Sequence, residues 1–197
     1  MALTMNEVEL LAQLRVGDES AFKVIVETHQ KRVYNTLLAI IQHPEEAEDL
    51  AQEVFIEVYQ SVASFRGDAK IATWLYRIAT TKALEHLRKK KASKRFAFIT
   101  SLFGAENEVV YHPVTFDHPG VELENKERAA VLFKAINTLP ENQRIAFTLH
   151  HLEALPYLEI AEVMQLSLSS VESLLFRAKT NLRKNLKTYY EQMLQGN

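Results

Sequence analysis

The chain has 197 residues, no cysteine, five glycines and five prolines, with 47% hydrophobic and 24% charged residues and a formal net charge of −2. That length bounds it to one or two small domains, and the composition is that of a globular, helical protein rather than a disordered one. Without cysteine there are no disulfides, thiolate metal sites or thiol nucleophiles; no apolar run reaches membrane-spanning length, and Met1 to Leu14 is amphipathic and acidic rather than signal-like, so a cytoplasmic protein is expected.

From Asn6 to about Gln42 apolar residues recur at helical spacing (Val8, Leu11, Leu14, then Phe22, Val26, Val33, Leu37, Ile41), and Gly17-Asp18 divides the run into two helices. Pro44 opens a third, since proline suits a first helical turn and the acids behind it favour the positive end of the helix dipole. Between Glu45 and Glu57 there are six acids and no Lys or Arg. At about 100° per residue Ala47, Leu50, Ala51, Val54, Val58 and Val62 share one side, which leaves Asp49, Gln52, Glu53, Ile56 and Gln60 on the other. An acid and amide face with an isoleucine in its middle suits docking to a basic partner. A plain solvated face is the alternative.

The charge then reverses. Phe65 to Arg95 carries ten Lys or Arg against Asp68 and Glu85, a net +8. A helix from about Ile71 to Lys91 buries Ile71, Leu75, Ile78 and Ala79 and turns Thr73, Arg77, Thr80, Thr81 and Arg88 outward, with Trp74 and Tyr76 flanking them. Cations interleaved with aromatics suit single-stranded nucleic acid, because rings stack on unpaired bases while cations track the backbone. Alternatively Trp74 and Tyr76 are core, and Arg88 to Lys91 is a solvated helix end. Beyond Ala79 the stripe slips, with Lys82 and His86 on the inward phase.

From 96 to 120 periodicity is lost, and Gly104, Pro113, Pro119 and Gly120 mark a linker. Its apolar start (Phe96, Phe98, Ile99, Leu102, Phe103) should pack on the chain's own domains or on a partner. Helical period returns from Val121 and stops at Leu139-Pro140; another helix runs from Glu141 to about Leu152. Tyr157 to Lys179 reads as a helix-turn-helix, burying Ile160, Met164, Leu166, Val171 and Leu174, with Ala161 where the helices cross. Ser167 caps a second helix that presents Ser169, Ser170, Ser173, Arg177 and Lys179, hydroxyls and cations of the kind that contact a major groove and its phosphates. Gln165 stands at the turn position where glycine is easiest, and Glu172 puts an acid on the presumed reading helix.

Three blocks in this order resemble the extracytoplasmic-function (ECF) class of the sigma-70 family of bacterial RNA polymerase sigma factors. They are Asp49-Leu50-Ala51-Gln52-Glu53-Val54-Phe55; Phe65-Arg66-Gly67-Asp68 with Thr73-Trp74-Leu75-Tyr76-Arg77-Ile78-Ala79; and Leu139-Pro140 with Gln143-Arg144, Glu159-Ile160-Ala161-Glu162 and Phe176-Arg177-Ala178-Lys179. The resemblance implies an all-α fold of two small helical domains: sigma region 2 over 1–95, a linker over 96–120, and sigma region 4 over 121–197. It implies no cofactor, metal or catalytic residue. Asp49, Gln52, Glu53, Phe55, Ile56 and Tyr59 would dock on the clamp coiled coil of the polymerase's largest subunit, and region 4 on the flap of the second-largest. Phe65, Arg66 and Lys70 would take a flipped base of the −10 element, Trp74 would stand near the upstream fork, and Arg77, Thr81, Lys82, Arg88 and Lys89 would hold adjacent backbone. Ser169, Ser170, Ser173, Phe176, Arg177 and Lys179 would contact the −35 element, with Arg144 on a phosphate. Regulation by an anti-sigma factor is common in the class.

Two rival readings start from other features. A helix-turn-helix regulator with an N-terminal ligand-sensing domain explains Tyr157 to Lys179 but leaves the acidic face and the +8 segment without a role. A metal or hydrolytic enzyme built on His150, His151 and Glu153 meets the objection that adjacent helical histidines point about 100° apart.

Overall fold

The computed structural model describes residues 7–65, 67, 69–101 and 131–195, with the backbone alone at 94–101, 188–190 and 192–195. Arg66, Asp68, the linker residues 102–120 and the helix expected from Val121 to 130 lie outside the described residues, as do the side chains of Phe96, Phe98 and Ile99. The elements are α1 (Glu7–Arg15), α2 (Glu19–Ile41), α3 (Pro44–Ser61), a 3-10 turn (Val62–Ser64), α4 (Ile71–Ser101), α5 (131–137), α6 (Glu141–His151), α7 (Tyr157–Met164) and α8 (Leu168–Gln195). No strand occurs among the described residues.

Local chemistry sets the breaks. Gly17 ends α1 at φ 83°, a left-handed conformation that costs glycine little. Asp18 then caps α2, its carboxylate accepting from the backbone N–H of Ser20 at 2.7 Å and of Ala21 at 3.2 Å. Pro44 occupies the first turn of α3, and His43 Nδ1 accepts from the Glu46 N–H at the same end. α4 continues past both the helix end expected near Lys91 and the linker start expected at 96, through to Ser101.

The slip in the apolar stripe of α4 has a physical cause. Lys82 reaches Glu53 and Glu57 at 3.5 and 3.4 Å, while His86 and Lys90 meet Glu46 at 2.8 and 2.6 Å. The inward phase is polar there because α4 packs against the acidic helix α3. Burial tends to raise the Glu46 carboxyl, but the hydrogen bonds and charges of Lys90 and His86 outweigh it and hold the group below its ordinary value.

One apolar core joins α1 to α4 with α6, α7 and the start of α8, running from Leu14, Ile25, Leu37 and Ile40 to Ile145, Leu149, Ile160 and Leu175. A smaller cluster of Ile136, Leu139, Phe147, Ala178 and Leu182 ties α5 and α6 to α8. α6 is buried around most of its circumference, Gln143, Arg144, Phe147 and Thr148 included, because it lies between α2, α7 and α8. Leu37 has no exposed surface. Leu37→Ala should therefore cost about 2–5 kcal/mol in urea unfolding, with an unchanged slope.

Candidate nucleic-acid interface

The acidic face of α3 is as the periodicity placed it. Asp49, Gln52, Glu53 and Tyr59 are exposed, and Ile56 stands out from among them at 56% exposure. Phe55 turns the other way and is buried, yet its ring lines a groove of about 1070 Å³ between α2 and α3 together with Phe22, Val26, Tyr34, Ile56 and Tyr59. Tyr59 meets Phe22 edge to face at 5.2 Å. The contribution of α2 was not visible in sequence, since Phe22 and Val26 read there as ordinary core positions.

A second hollow, of about 680 Å³, opens where the 3-10 turn enters α4 and is lined by Phe65, Trp74, Arg77, Ile78, Thr81 and Glu162 among others. Phe65 and Trp74 stack at 4.3 Å and an interplanar angle of 10°. Arg15 fixes the loop from outside by donating to the Phe65 carbonyl, a role that no sequence pattern announced. Arg77, Thr81, Arg88 and Lys89 are exposed on α4, whereas Lys82 is half-buried against α3. Tyr76, Thr73 and Thr80 are buried, so the aromatic flank of the cradle reduces to Trp74, and Tyr76 belongs to the core.

The helix-turn-helix closes as the spacing requires, with two substitutions in its core. Val163 and Leu175 are buried, while Leu166, expected inward, is exposed. Ser167 Oγ accepts from the Ser170 N–H at 3.2 Å and caps α8. Ser169, Ser173, Phe176, Arg177 and Lys179 are exposed and Ser170 half-buried, with Phe176 73% exposed on the outer face of α8. Gln165 adopts φ 54°. In the orientation that satisfies both its donor and its acceptor, its carboxamide oxygen accepts from the Arg77 guanidinium, with Nε 2.9 Å away.

Arg144 does not face solvent here. It is 8% exposed and donates to the carbonyls of Ile40 at 2.7 Å, Asn137 at 3.0 Å and Leu139 at 3.3 Å, and burial draws its pKa down. Glu153 points away from both histidines. His150 Nδ1 lies 3.1 Å from the Leu155 carbonyl and His151 packs on Phe147 at 4.4 Å, while Glu153 accepts from Tyr76, Thr36 and Arg32. Among the described residues no three His, Asp or Glu side chains converge as a metal site would require.

An acidic helix face, a stacked aromatic pair beside cations and a capped helix-turn-helix on one chain are the features of a DNA-binding transcription protein. The profile described as Sigma-70 region 2 matches residues 25–93, and that described as Sigma-70, region 4 matches residues 129–182. The chain is 34% identical over 185 residues to the RNA polymerase sigma-H factor of Pseudomonas aeruginosa, covering 90% of this chain and 92% of that one. It is 32% identical over 186 residues to the ECF RNA polymerase sigma-E factor of Haemophilus influenzae, covering 94% and 98%. Against the ECF RNA polymerase sigma factor SigW of Bacillus subtilis it is 30% identical over 179 residues, covering 90% and 95%. The fold is shared with CnrH, solved in complex with the cytosolic domain of CnrY, at a TM-score of 0.67, 20% identity and coverage of 92% and 97%. It is shared likewise with the sigma factor RpoE of Bartonella quintana, solved with the anti-sigma factor NepR, at 0.63, 21% identity and coverage of 84% and 96%. The chain belongs to the ECF RNA polymerase sigma factors of the sigma-70 family.

Gln165 sets backbone strain against a side-chain contact. Gln165→Gly should relieve about 1 kcal/mol of left-handed strain and at the same time release Arg77. Denaturation should show a gain smaller than that relief, because the Arg77 contact is lost with it; measured against Arg77→Ala as the reference, where the contact is already absent, the same substitution should show the full gain.

Proposed function

We infer that the chain is the specificity subunit that directs core RNA polymerase to particular promoters, recognising −35 and −10 elements and capturing melted DNA to start transcription. The observation that carries this is the fall of the two sigma-70 profiles on the unit that holds α3 and α4 and on the unit that holds the helix-turn-helix. A ligand-sensing N-terminal half is thereby left without residues to form it. In this reading 1–95 is region 2, 96–120 the linker and 121–197 region 4.

The exposed Asp49, Gln52, Glu53, Ile56 and Tyr59, backed by the groove over Phe55, present acids, amides and an apolar centre to the clamp coiled coil of the largest subunit. Region 4 docks on the flap of the second-largest. The Phe65 and Trp74 rings, with Arg66, Lys70, Arg77, Thr81, Lys82, Arg88 and Lys89, hold the opened −10 strand. Unstacking a base costs a few kcal/mol, which ring stacking and phosphate contacts in the hollow offset. The strand is opened by binding, without ATP or turnover, so this is a binding protein rather than an enzyme. Ser169, Ser170, Ser173, Phe176, Arg177 and Lys179 read the −35 duplex, and Arg144 reaches a phosphate only when its carbonyl partners let it go. No described helix is long and apolar enough to cross a membrane. The chain acts where polymerase acts, in the cytoplasm, and an anti-sigma factor is its expected negative regulator.

Co-purification with core polymerase tests the docking face. Wild type should be retained, and Gln52→Ala with Glu53→Arg should lower retention about tenfold or more, since a reversed charge at a docking face costs several kcal/mol. Retention of the folded double variant at the wild-type level would place docking elsewhere. For the −35 contacts, Arg177→Ala should reduce the slope of log K against log salt by about 0.9 for the holoenzyme on a cognate promoter. An unchanged slope means that Arg177 neutralises no phosphate.

A further inference from the structure

From Leu168 to Asn181 the helix α8 carries a single acid, Glu172, among hydroxyls and cations. The buried stripe of Val171, Leu175, Ala178 and Leu182 sets the rotation of α8 against α6 and α7. That rotation leaves Ser169, Glu172, Ser173 and Phe176 exposed along the N-terminal turns. Ser167 caps the helix, so Glu172 stands in its second turn, the part of a recognition helix that meets base edges. At about 100° per residue it lies one turn before Phe176 and about 40° round from it.

The chain does nothing to neutralise this carboxylate. The positions that could reach it along the helix hold Leu168, Ser169, Leu175 and Phe176, none of them a cation. Glu172 enters no ion pair among the described residues. The first cation of α8, Arg177, turns back along its own helix, and its Nε donates to the Ser173 carbonyl at 3.1 Å. Acids elsewhere in the fold find lysines, as Glu46, Glu53 and Glu159 do.

An unpaired carboxylate is costly on a helix that enters a major groove, because phosphates line both walls. The cost is offset only where the floor of the groove supplies a donor. Base pairs offer two kinds there, the N6 amino group of adenine and the N4 amino group of cytosine. Adenine's amino group lies between two acceptors, its own N7 and the O4 of thymine, and both repel a carboxylate drawn up to it. Cytosine's has the guanine O6 on one side and only a C–H on the other. A carboxylate approaching from the C–H side therefore meets a donor and no second acceptor.

We propose that Glu172 reads sequence: its carboxylate accepts from the N4 amino group of a cytosine in the −35 element, so that this sigma factor selects a C·G pair at one position there. The proposal rests on the sigma-factor reading and deepens it, adding a base-specific contact to the hydroxyls and cations already placed on α8. Glu172 weakens binding to DNA in general and restores it only on the right pair, which is discrimination by repulsion as well as by contact.

The test is selection of promoter fragments, randomised over the −35 region, by core polymerase loaded with the full-length chain, wild type or Glu172→Ala. Glu172 is exposed and alanine favours helix, so the variant should fold. Wild type should enrich a C·G pair at one position, and Glu172→Ala should lose that preference while keeping the rest of the motif. Both holoenzymes are then titrated with the selected promoter and with the same promoter carrying T·A in place of that C·G pair. Wild type should prefer the selected promoter about five- to tenfold, the lower end for one base-specific contact. Glu172→Ala should bind the selected promoter more weakly than wild type does and the T·A promoter more tightly. A variant that binds both more tightly has lost only a repulsion, and one that binds both more weakly has lost only structure; either result overturns the proposal. So does an A·T pair in place of C·G at the position that Glu172 controls. If wild-type holoenzyme enriches no −35 sequence, the sigma-factor reading itself falls; if wild type and Glu172→Ala enrich the same motif, that reading stands and the assignment of Glu172 alone falls.

Discussion

The two halves of this molecule meet around one buried carboxylate. Taking a charge out of water costs several kcal/mol unless donors replace the lost solvent, and Glu153 receives three, from Tyr76, Thr36 and Arg32. Burial, together with the facing Glu153, pushes the Tyr76 hydroxyl well above its ordinary pKa, so it stays a donor throughout the working pH range. Without α6 and α7 in place these donors and the apolar residues around them face water; without α2 and α4 the carboxylate does. Such a group adds little net stability, but it makes one docking geometry far better than its neighbours.

The same logic explains how a strongly basic segment sits in a protein of net charge −2. α4 is flanked on one side by the acids of α3, through Glu46, Glu53 and Glu57, and on the other by Glu159 of α7 and Glu141 of α6. The α3 contacts fix the acidic face of α3 relative to the basic face of α4. Those with α6 and α7 join the N-terminal helices to the C-terminal ones.

Much of the architecture was legible in the sequence. The breaks at Gly17-Asp18 and Pro44, the outward face of α3 and the Ser167 cap follow from local chemistry, which needs no knowledge of the rest of the chain. What the sequence hid was tertiary. Tyr76 was open to two readings, outward aromatic or core; it is core, and the carboxylate from residue 153 that accepts from its hydroxyl was not foreseeable. Arg144 reads as a phosphate contact, but its guanidinium is spent on three carbonyls, one from α2. Leu166 has the phase of a core residue and is exposed, while Val163 is buried. The polar stretch of α4 that looked like failing periodicity is periodicity toward a polar neighbour. Glu153 drew notice only beside His150 and His151, because pairing at a distance of about 120 residues leaves no trace in a single sequence.

Small-angle scattering of the free chain tests the central claim most directly, because it reads the separation of the domains without altering a residue. A chain closed on Glu153 should give a radius of gyration near that of a single globule of this length, about 16 Å by general scaling. A free chain well above about 20 Å, with the scattering of two separated bodies, would contradict the account.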